Sequence, residues 1–218
     1  MIEFENTKVF GWEAAIRGMR NPMNSWDKSD SIIDGYGLYE LGENDFKLMK
    51  NLVAAGSDHS KFMRMINVTV DITAPRYWWP EADTYKVGTV RNSCSTMHKI
   101  HSKEFTLDDF SHEHLFTENC GVPDHEEQIT LEVLKTVIRA LNYAREAYLE
   151  SKSKESWWQM IQLLPQSYNQ KATVQMNYAV LRNMYHSRKN HKLDEWSVGF
   201  VEWVKSLPYS ELITDEVN

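Results

Sequence analysis

The 218-residue chain has little cysteine, no long apolar run and no excess of positive charge. Its two cysteines, Cys94 and Cys120, are too few for a disulfide framework, which excludes the small disulfide-stapled secreted proteins. Because no apolar run is long enough to cross a bilayer and no signal peptide is visible, we expect a cytoplasmic protein without membrane association. The net charge of −7 disfavours a broad grip on a nucleic-acid polymer, yet it permits a local basic pocket for one phosphate.

Apolar and charged residues, at 42% and 25%, occur in the proportions of an ordinary globular protein. The length suits one domain, so we expect residues 1–218 to fold as a single unit with a sizeable core. Eight Trp and ten Tyr are many for this length. Some of these rings are expected to line a concave site, although filling the core is at least as common a role for any one of them.

Hydrophobic periodicity predicts a mixed first half. There, "TKVFGWEAAI" predicts a strand running into a short helix, and "GENDFKLMKNLVAAGS" predicts a helix that stops near Gly56. The alternating "MRMINVTVDIT" predicts a strand, after which Pro75 stops the strand or starts a helix. The stretches "NPMNSWDKSD" and "DGYG" are typical of a polar loop and a turn.

The second half is predicted to be helical. Helices are expected from about Asp124 to Glu150, over "SWWQMIQLLP", over "ATVQMNYAVLRNMYHSR" and over "DEWSVGFVEWVKSLP". The chain is therefore predicted to be α+β, with a mixed sheet and a helix-rich C-terminal half.

One predicted helix carries an unusual stripe. Asn177, Leu181, Met184 and Arg188 follow one another at spacings of four, three and four, which places them on one helix face. A stripe used only for packing would be apolar, whereas this one begins with an amide and ends with a guanidinium. The guanidinium could bind a carboxylate, a phosphate or a base edge. A solvated Arg, favoured by the helix dipole, is the alternative.

The stretch "APRYWWPEADTYKVGTVRNSCS" also stands out, because an aromatic cluster leads into cations, small hydroxyls and a thiol. Trp78 and Trp79 could form a wall over a ring ligand, or one could pack in the core and the other at a subunit interface. Glu81 could contact a base or lie exposed on a helix. Cys94 could be a nucleophile, but a small buried cysteine is the more common role.

These residues resemble a known family, the flavin-dependent thymidylate synthases, whose signature reads R-H-R-x-x-S-x-N-E-x-S-x-R. Counted from Ala74-Pro75, the signature falls on "TYKVGTVRNSCST", with Thr84, Tyr85 and Lys86 replacing Arg-His-Arg, and Thr96 replacing the last Arg. The resemblance covers roughly Ser60 to Pro208, with a loop insertion near 99–124, and a further loop insertion near 20–36 is expected in the whole domain of residues 1–218. Its other matching positions are Leu164-Pro165, Asn177, Asn183, Ser187-Arg188 and Leu193-Asp194.

The resemblance implies a flavin-dependent thymidylate synthase-like fold and a homotetramer with active sites between subunits. It implies FAD as cofactor, dUMP or a related pyrimidine nucleotide as substrate, and NADPH and methylene-tetrahydrofolate as co-substrates. Arg188 would be the catalytic residue, binding the nucleotide and polarising its ring. Residues implied to bind the flavin are Asn177, Asn183, Thr84, Tyr85, Lys86 and His59. Residues implied to bind the nucleotide, besides Arg188, are Lys86, Arg91, Asn92, Cys94, Ser95 and Glu81. In the segment from Ala74 to Ser95, a short helix would run into a ligand-binding loop.

Two other functions stay open. The replaced Arg-His-Arg is compatible with a repurposed nucleotide-binding protein that has lost the flavin chemistry, because Lys does not reproduce the bidentate geometry of Arg. A metal-dependent hydrolase could instead use the paired histidines of "HKIHSKEF" and "SHEH", although their spacing fits no standard site and no metal is expected. Those histidines are His98, His101, His112 and His114.

Overall fold

The computed structural model describes residues 2–33, 39–118 and 129–216. Its strands are β1 (Glu3–Phe10), β2 (Ile32–Ile33), β3 (Tyr39–Glu40), β4 (Asn67–Pro75), β5 (Val90–Ser93) and β6 (Asn169–Asn177). The larger sheet has the strand order β1-β4-β6-β5, and the smaller one pairs β2 with β3. The four-stranded sheet, expected to be mixed, is antiparallel.

Helices make up most of the remaining chain, which confirms the α+β class. They are α1 (Trp12–Arg20), α2 (Glu43–Ala54), α3 (Trp79–Ala82), α4 (Thr96–Lys99), α5 (Thr130–Ser151), α6 (Lys154–Leu163), α7 (Tyr178–Arg188), α8 (Val201–Lys205) and α9 (Glu211–Thr214). A π-helix, Glu195–Phe200, precedes α8, and 3-10 turns occupy Asn21–Met23, Trp26–Lys28, Lys61–Arg64, Asp83–Tyr85 and Leu107–Asp109. Within the described residues, no helix combines the length with the apolarity that a bilayer crossing requires.

Most of the predicted elements are present. The strand-to-helix reading of "TKVFGWEAAI" gives β1 and α1, and α2 ends before Gly56, whose φ of +104° suits a glycine. The polar loop after α1 contains two 3-10 turns, whereas "DGYG" lies outside the described residues. The long helix is described from Thr130 onward, and its predicted start at Asp124 lies outside them, as does Cys120.

Two element predictions were wrong. The stretch 172–177 was expected to be helical, but Ala172, Val174 and Met176 are buried on alternate positions of β6, and α7 begins only at Tyr178. Pro75 was expected to stop the strand or to start a helix, and it ends β4, whereas the placement of Ala74-Pro75 at the start of a helix, which the resemblance implied, was wrong. The helix that follows them, α3, is a single turn.

By compactness the chain divides into two units, which we describe separately. The first consists mainly of residues 73–82 and 93–172, and the second of residues 4–72, 83–92 and 173–218. In the first unit, α5 packs on α6 through Leu134, Ile138, Leu141 and Ala144, whose helical spacing forms one apolar face. Further members of this core are Ile100, Phe105, Phe110, Met160 and Leu164.

Both tryptophans of the aromatic cluster belong to the first unit's interior. Trp78 is 1% exposed and Trp79 is 4% exposed, and the two rings meet edge to face. The Trp79 indole N–H donates to the carbonyl of Ala74 at 3.2 Å. Neither ring is available as a ligand wall or as a subunit contact, so both of those expectations were wrong.

A buried ion pair organises the start of the second unit. Asp45 is fully buried on α2 and accepts hydrogen bonds from Arg20 Nε at 2.7 Å and from the Ser29 and Ser31 hydroxyls, each at 2.6 Å. Arg20 in turn donates to the carbonyls of Ser25 and Lys28. This network fixes the polar loop after α1 to the side of α2.

Candidate functional site

In the second unit, Arg188 is held by aromatic residues. It is the last residue of α7, and its Nε donates to the Tyr85 hydroxyl oxygen at 3.0 Å. The guanidinium carbon lies 5.6 Å from the Tyr85 ring centre and 5.5 Å from that of Trp196, which is fully buried. At these distances each ring face attracts the cation. Arg188 is therefore a positioned, half-buried cation and not the freely solvated one of the alternative interpretation.

At the other end of α7, Asn177 caps the helix. Its side-chain oxygen accepts the Val180 N–H at 3.0 Å, and its own backbone is extended, as an N-cap residue requires. Asn177 is thus the last residue of β6 and the cap of α7 at once. Its predicted place on a helical stripe was wrong, whereas Leu181 and Met184 do form the buried face of α7.

Gly88 brings the loop after Tyr85 against this capped end. Its φ is +84°, and a Cβ built on it would lie 2.9 Å from Asn177 Nδ2 and 3.1 Å from Val180 Cγ2. Any side chain there would therefore meet the first turn of α7. The turn that contains Gly88 is closed by the Thr89 N–H, which donates to the Lys86 carbonyl at 3.3 Å.

The segment from Tyr85 to Gly88 consequently runs alongside α7. Between Asn177 and Arg188 the helix rises by about 16 Å. Three extended residues span only about 10 Å. The side chains of Arg188 and Tyr85 bridge the difference, because helical side chains lean towards the N-terminus. Lys86, which is exposed, lies between the two contact points along the chain.

The neighbouring cation is already neutralised. Arg91, on β5, forms an ion pair with Asp83 at 3.2 Å, and both side chains are partly exposed. Asn92 and Thr84 are exposed on the same segment. Of the two cations on this segment that are implied to bind the nucleotide, Lys86 therefore presents the more accessible charge.

The first unit contains a cavity of about 410 Å³ beside Cys94 and Ser95. The Cys94 N–H donates to the Lys171 carbonyl at 2.8 Å, and the Gln170 side chain donates to the Cys94 carbonyl at 2.8 Å. Cys94 is exposed, so the expectation of a small buried cysteine was wrong. Other residues that line the cavity are Thr96, Lys99, Lys103, Asp108, Asp109, Tyr168 and Lys171.

The three remaining residues implied by the resemblance lie in three separate parts of the chain. His59 is exposed in the turn that follows α2. Asn183 is exposed on α7, five residues before Arg188 and so well around the helix from it. Glu81 is half-buried on α3 in the first unit. Their roles stay predictions.

The paired histidines do not form a metal site in the part of the chain that the structure describes, where no group of three or more His, Cys, Asp or Glu side chains is placed to hold an ion. His101 packs edge-on against Tyr148, and His112 Nδ1 lies 2.7 Å from the Phe110 carbonyl oxygen. His101 thus takes part in ring packing and His112 in a contact with a backbone carbonyl. Neither contact supports the hydrolase alternative.

The sequence interpretation missed Trp196 and the cavity lysines. Trp196 lies eight residues beyond Arg188 in a different helix, so hydrophobic periodicity gives no indication that the two side chains are in contact. Lys99 does follow Thr96 by one helical turn, so its position beside the loop could have been noticed from the sequence.

No protein-family model matches the sequence, and no curated protein matches it either. Solved structures do match. Flavin-dependent thymidylate synthase ThyX from Helicobacter pylori, complexed with FAD and dUMP, superposes with a TM-score of 0.68 at 16% identity, covering 100% of this chain and 99% of that one. A second structure of that enzyme with FAD and dUMP gives 0.67 at 16% identity, with coverages of 100% and 98%. The UMP/dUMP methylase PolB from Streptomyces cacaoi, with 5-Br dUMP, gives 0.59 at 16% identity, with coverages of 98% and 94%. The chain thus has the fold of these proteins over its whole length.

Proposed function

We propose that this protein binds dUMP or a closely related pyrimidine nucleotide and, with reduced FAD, methylates it using methylene-tetrahydrofolate, with NADPH as reductant. The observation that carries the proposal is the placement of Arg188 between Tyr85 and Trp196. It supports the proposal because the fold is one whose solved members, the thymidylate synthase and the methylase, hold dUMP or 5-Br dUMP.

In this proposal Arg188 is the catalytic residue. Its planar fork of donors can bind the carbonyl edge of the pyrimidine and draw electron density from the ring, and an Arg fixed in advance loses less freedom on binding. Lys86 adds a nearby positive charge for an anionic ligand. The flavin, when bound, would supply the reducing equivalents, so the chain need not provide a nucleophile.

The residues at the flavin positions fit FAD with a reduced set of contacts. Lys86, Thr84 and Asn183 are exposed and could meet the phosphates and the polar edge of the ring system. Asn177 and Tyr85 already use their side-chain oxygens within the protein. We therefore expect Lys86, Thr84 and Asn183 to hold the cofactor, more weakly than a site with two arginines would.

The second candidate is a nucleotide-binding protein that has lost the flavin chemistry. The engagement of Asn177 and Tyr85, together with the neutralisation of Arg91 by Asp83, favours it. Both candidates share the pyrimidine nucleotide and differ only in the cofactor.

The absorption spectrum of the purified protein, before and after incubation with FAD, separates these candidates. Retained flavin whose spectrum shifts on addition of dUMP would support the enzyme, and an assay for thymidylate would follow. Bound dUMP without retained flavin would favour the second candidate. Protein that binds neither would overturn both.

The role of Arg188 is tested by calorimetric titration with dUMP. We expect Arg188→Ala to abolish measurable binding. Arg17→Ala is the matched control, because Arg17 is exposed on α1 in the same unit and forms a surface ion pair with Glu13. An Arg188→Ala variant that binds dUMP as tightly as the Arg17→Ala variant would contradict the proposal.

A further inference from the structure

Segment 211–216 of the second unit, which we call the strap, packs on α7. It contains α9, and the Leu212 and Ile213 side chains are buried, with 1% and 0% exposed. Burial of two aliphatic side chains anchors the strap by a hydrophobic contact that involves no charge. Any response of the strap to pH must therefore come from its polar contacts.

Arg182 of α7 binds the carbonyl groups of the strap. Its Nη1 donates to the Leu212 and Ile213 carbonyls at 3.1 and 3.0 Å, and its Nη2 donates to the Asp215 carbonyl at 2.7 Å. The last carbonyls of a helix have no partner within it, so Arg182 supplies the donors that α9 lacks. A guanidinium keeps its charge throughout the neutral and acid range, so this contact does not change with pH.

His186 meets the same segment one turn further along α7. Its Nε2 lies 3.1 Å from the Ile213 carbonyl oxygen, and because a carbonyl only accepts, Nε2 carries the proton. Nδ1 lies 3.7 Å from one carboxylate oxygen of Glu216, whose other oxygen pairs with Lys189. Arg182, His186 and Lys189 are spaced by four and three residues, which places the three side chains on one face of α7.

A second proton on His186 would put a third positive charge on this face. Burial lowers the pKa of His186 below 6.5, the charges of Arg182 and Lys189 lower it further, and Glu216 and the bond to Ile213 compensate only in part. The strap in its closed position therefore favours the neutral imidazole.

Other titratable groups lie around the imidazole. Tyr185 meets its ring edge to face at 5.3 Å, and Asp215 on the strap acts on Arg182. The turn Lys61–Arg64, the π-helix and α8 also pack on α7. Charged residues on these three elements are Lys61, Arg64, Glu195, Glu202 and Lys205.

We propose that the strap is an acid-sensitive latch, in which protonation of His186 loosens segment 211–216 from α7. Opening of the strap exposes the imidazole to water, which removes the burial and screens the neighbouring cations, so the open form binds the proton more readily. The strap is therefore fully held above about pH 7.5 and loses its hold as the pH falls from 6.5 through the lowered pKa. Because the apolar anchors are indifferent to pH, acid shifts the opening equilibrium without detaching the strap. The latch does not rest on the proposed function.

Proton linkage limits the size of the effect. A single imidazole with the ordinary pKa of 6.5 in the open strap raises the opening constant at about pH 5.5 by at most about elevenfold. Glu216 stays ionised at that pH, because its bond to Lys189 and the charge of Lys189 hold its pKa below 4.5. We therefore expect the opening constant to rise severalfold between about pH 7.5 and about pH 5.5.

Amide hydrogen exchange measures the opening constant. The Ile213 and Asp215 N–H groups donate to the carbonyls of Ser210 and Glu211, at 2.8 and 3.0 Å, so their exchange reports the opening of the strap. Rates at the two pH values are divided by the intrinsic rates of the unprotected peptide, which removes the pH dependence of exchange itself. Amides of α1, in the same unit, serve as the reference for opening of the whole unit.

His186→Gln is the test variant, because its side-chain N–H can still meet the Ile213 carbonyl while no group at that position titrates. It should abolish the rise of the opening constant at acid pH. His98→Gln is the matched control, since His98 is exposed on α4 in the first unit. It should keep the rise seen in the parent.

Two further variants change the charge around His186 in opposite directions. Glu216→Gln removes the compensating carboxylate and should enlarge the acid response, whereas Lys189→Gln removes one cation and should diminish it. NMR titration of the His186 ring should show its pKa falling in the first variant and rising in the second. A purely structural strap would lose protection in both variants alike at each pH.

Three results would overturn the latch: equal opening constants of the strap at both pH values, an acid response that survives in His186→Gln, or an equal rise in the amides of α1. Acid responses that change in the same direction in Glu216→Gln and Lys189→Gln would overturn it as well. None of these measurements involves a nucleotide, so the latch can fail while the proposed function stands, and the proposed function can fail while the latch stands.

Discussion

Replacing Gly88 by Ala should uncouple the Lys86 turn from α7. The φ of +84° strains any residue with a Cβ, at a cost of roughly 1–3 kcal/mol. The new methyl would also lie 2.9 Å from Asn177 Nδ2 and 3.1 Å from Val180 Cγ2. Relieving those contacts requires the cap or the turn to move, at a further cost of about 1–3 kcal/mol.

Gly56 supplies the matched control for the strain. Its φ is +104°, and nothing lies within 4 Å of a Cβ built there, so Gly56→Ala carries the backbone strain without the collision. We expect both variants to lower the free energy of unfolding in urea, Gly88→Ala by about 1–3 kcal/mol more. Only Gly88→Ala should also weaken dUMP binding, because it moves Lys86 relative to α7.

Calorimetric titration of both variants with dUMP decides the matter. Equal loss of stability in the two variants would show that the contact between the turn and the α7 cap carries no energy. A Gly88→Ala variant that binds dUMP with the affinity of the parent would show that the position of Lys86 is irrelevant to the ligand. Either result would refute the reasoning that joins this turn to the site.

Two further perturbations follow from the charges. Lys86→Ala should weaken dUMP binding at low ionic strength, and the difference from the parent should shrink in calorimetry at high salt, because exposed charges are screened; a difference independent of salt would count against the electrostatic role. Asp45→Asn leaves Arg20 buried without its counter-charge and should lower the free energy of unfolding in urea by about 3–5 kcal/mol, against about 1 kcal/mol for Ser31→Ala. Burial alone would raise the pKa of Asp45, but hydrogen bonds from Ser29, Ser31 and Arg20 and the charge of Arg20 outweigh it and lower that pKa below 3.8. This stabilisation is therefore complete above about pH 5 and is lost as the pH falls through the lowered pKa. Acid unfolding of Asp45→Asn should lack this component, and identical acid profiles for variant and parent would contradict it.

The sequence predicted the local elements better than their junctions. The alternation in "MRMINVTVDIT" and the helical period of α5 were recognised because each repeats over many residues. The stretch 172–177 was misread because its alternation, with Ala172, Val174 and Met176 buried, is short and leads directly into a true helix. The alternation of a strand could have been recognised if residues 172–177 had been considered separately from the helix that follows them.

Contacts between residues that are distant in the sequence could not be predicted from local periodicity. Arg20 and Asp45 are 25 positions apart, and Tyr85 and Arg188 are 103 apart, so nothing local to either partner indicates the other. Arg188 was singled out from its helix, but its aromatic neighbours had to be seen in the structure. Cys94 was expected to be buried because free cysteines usually are, but it follows the last residue of the edge strand β5 and is exposed.

Strand β6 passes into α7 with no loop between them, because Asn177 both ends the strand and caps the helix. This direct junction limits the insertions and deletions that this part of the chain can accept. A surface loop absorbs an added residue at little cost. Here one added residue would turn α7 by about 100° and shift it by about 1.5 Å relative to the sheet. Arg188 would then point away from Tyr85 while the strand stayed in place. Replacements of individual residues leave that alignment intact, so we expect this junction to accept changes of residue type but neither insertions nor deletions.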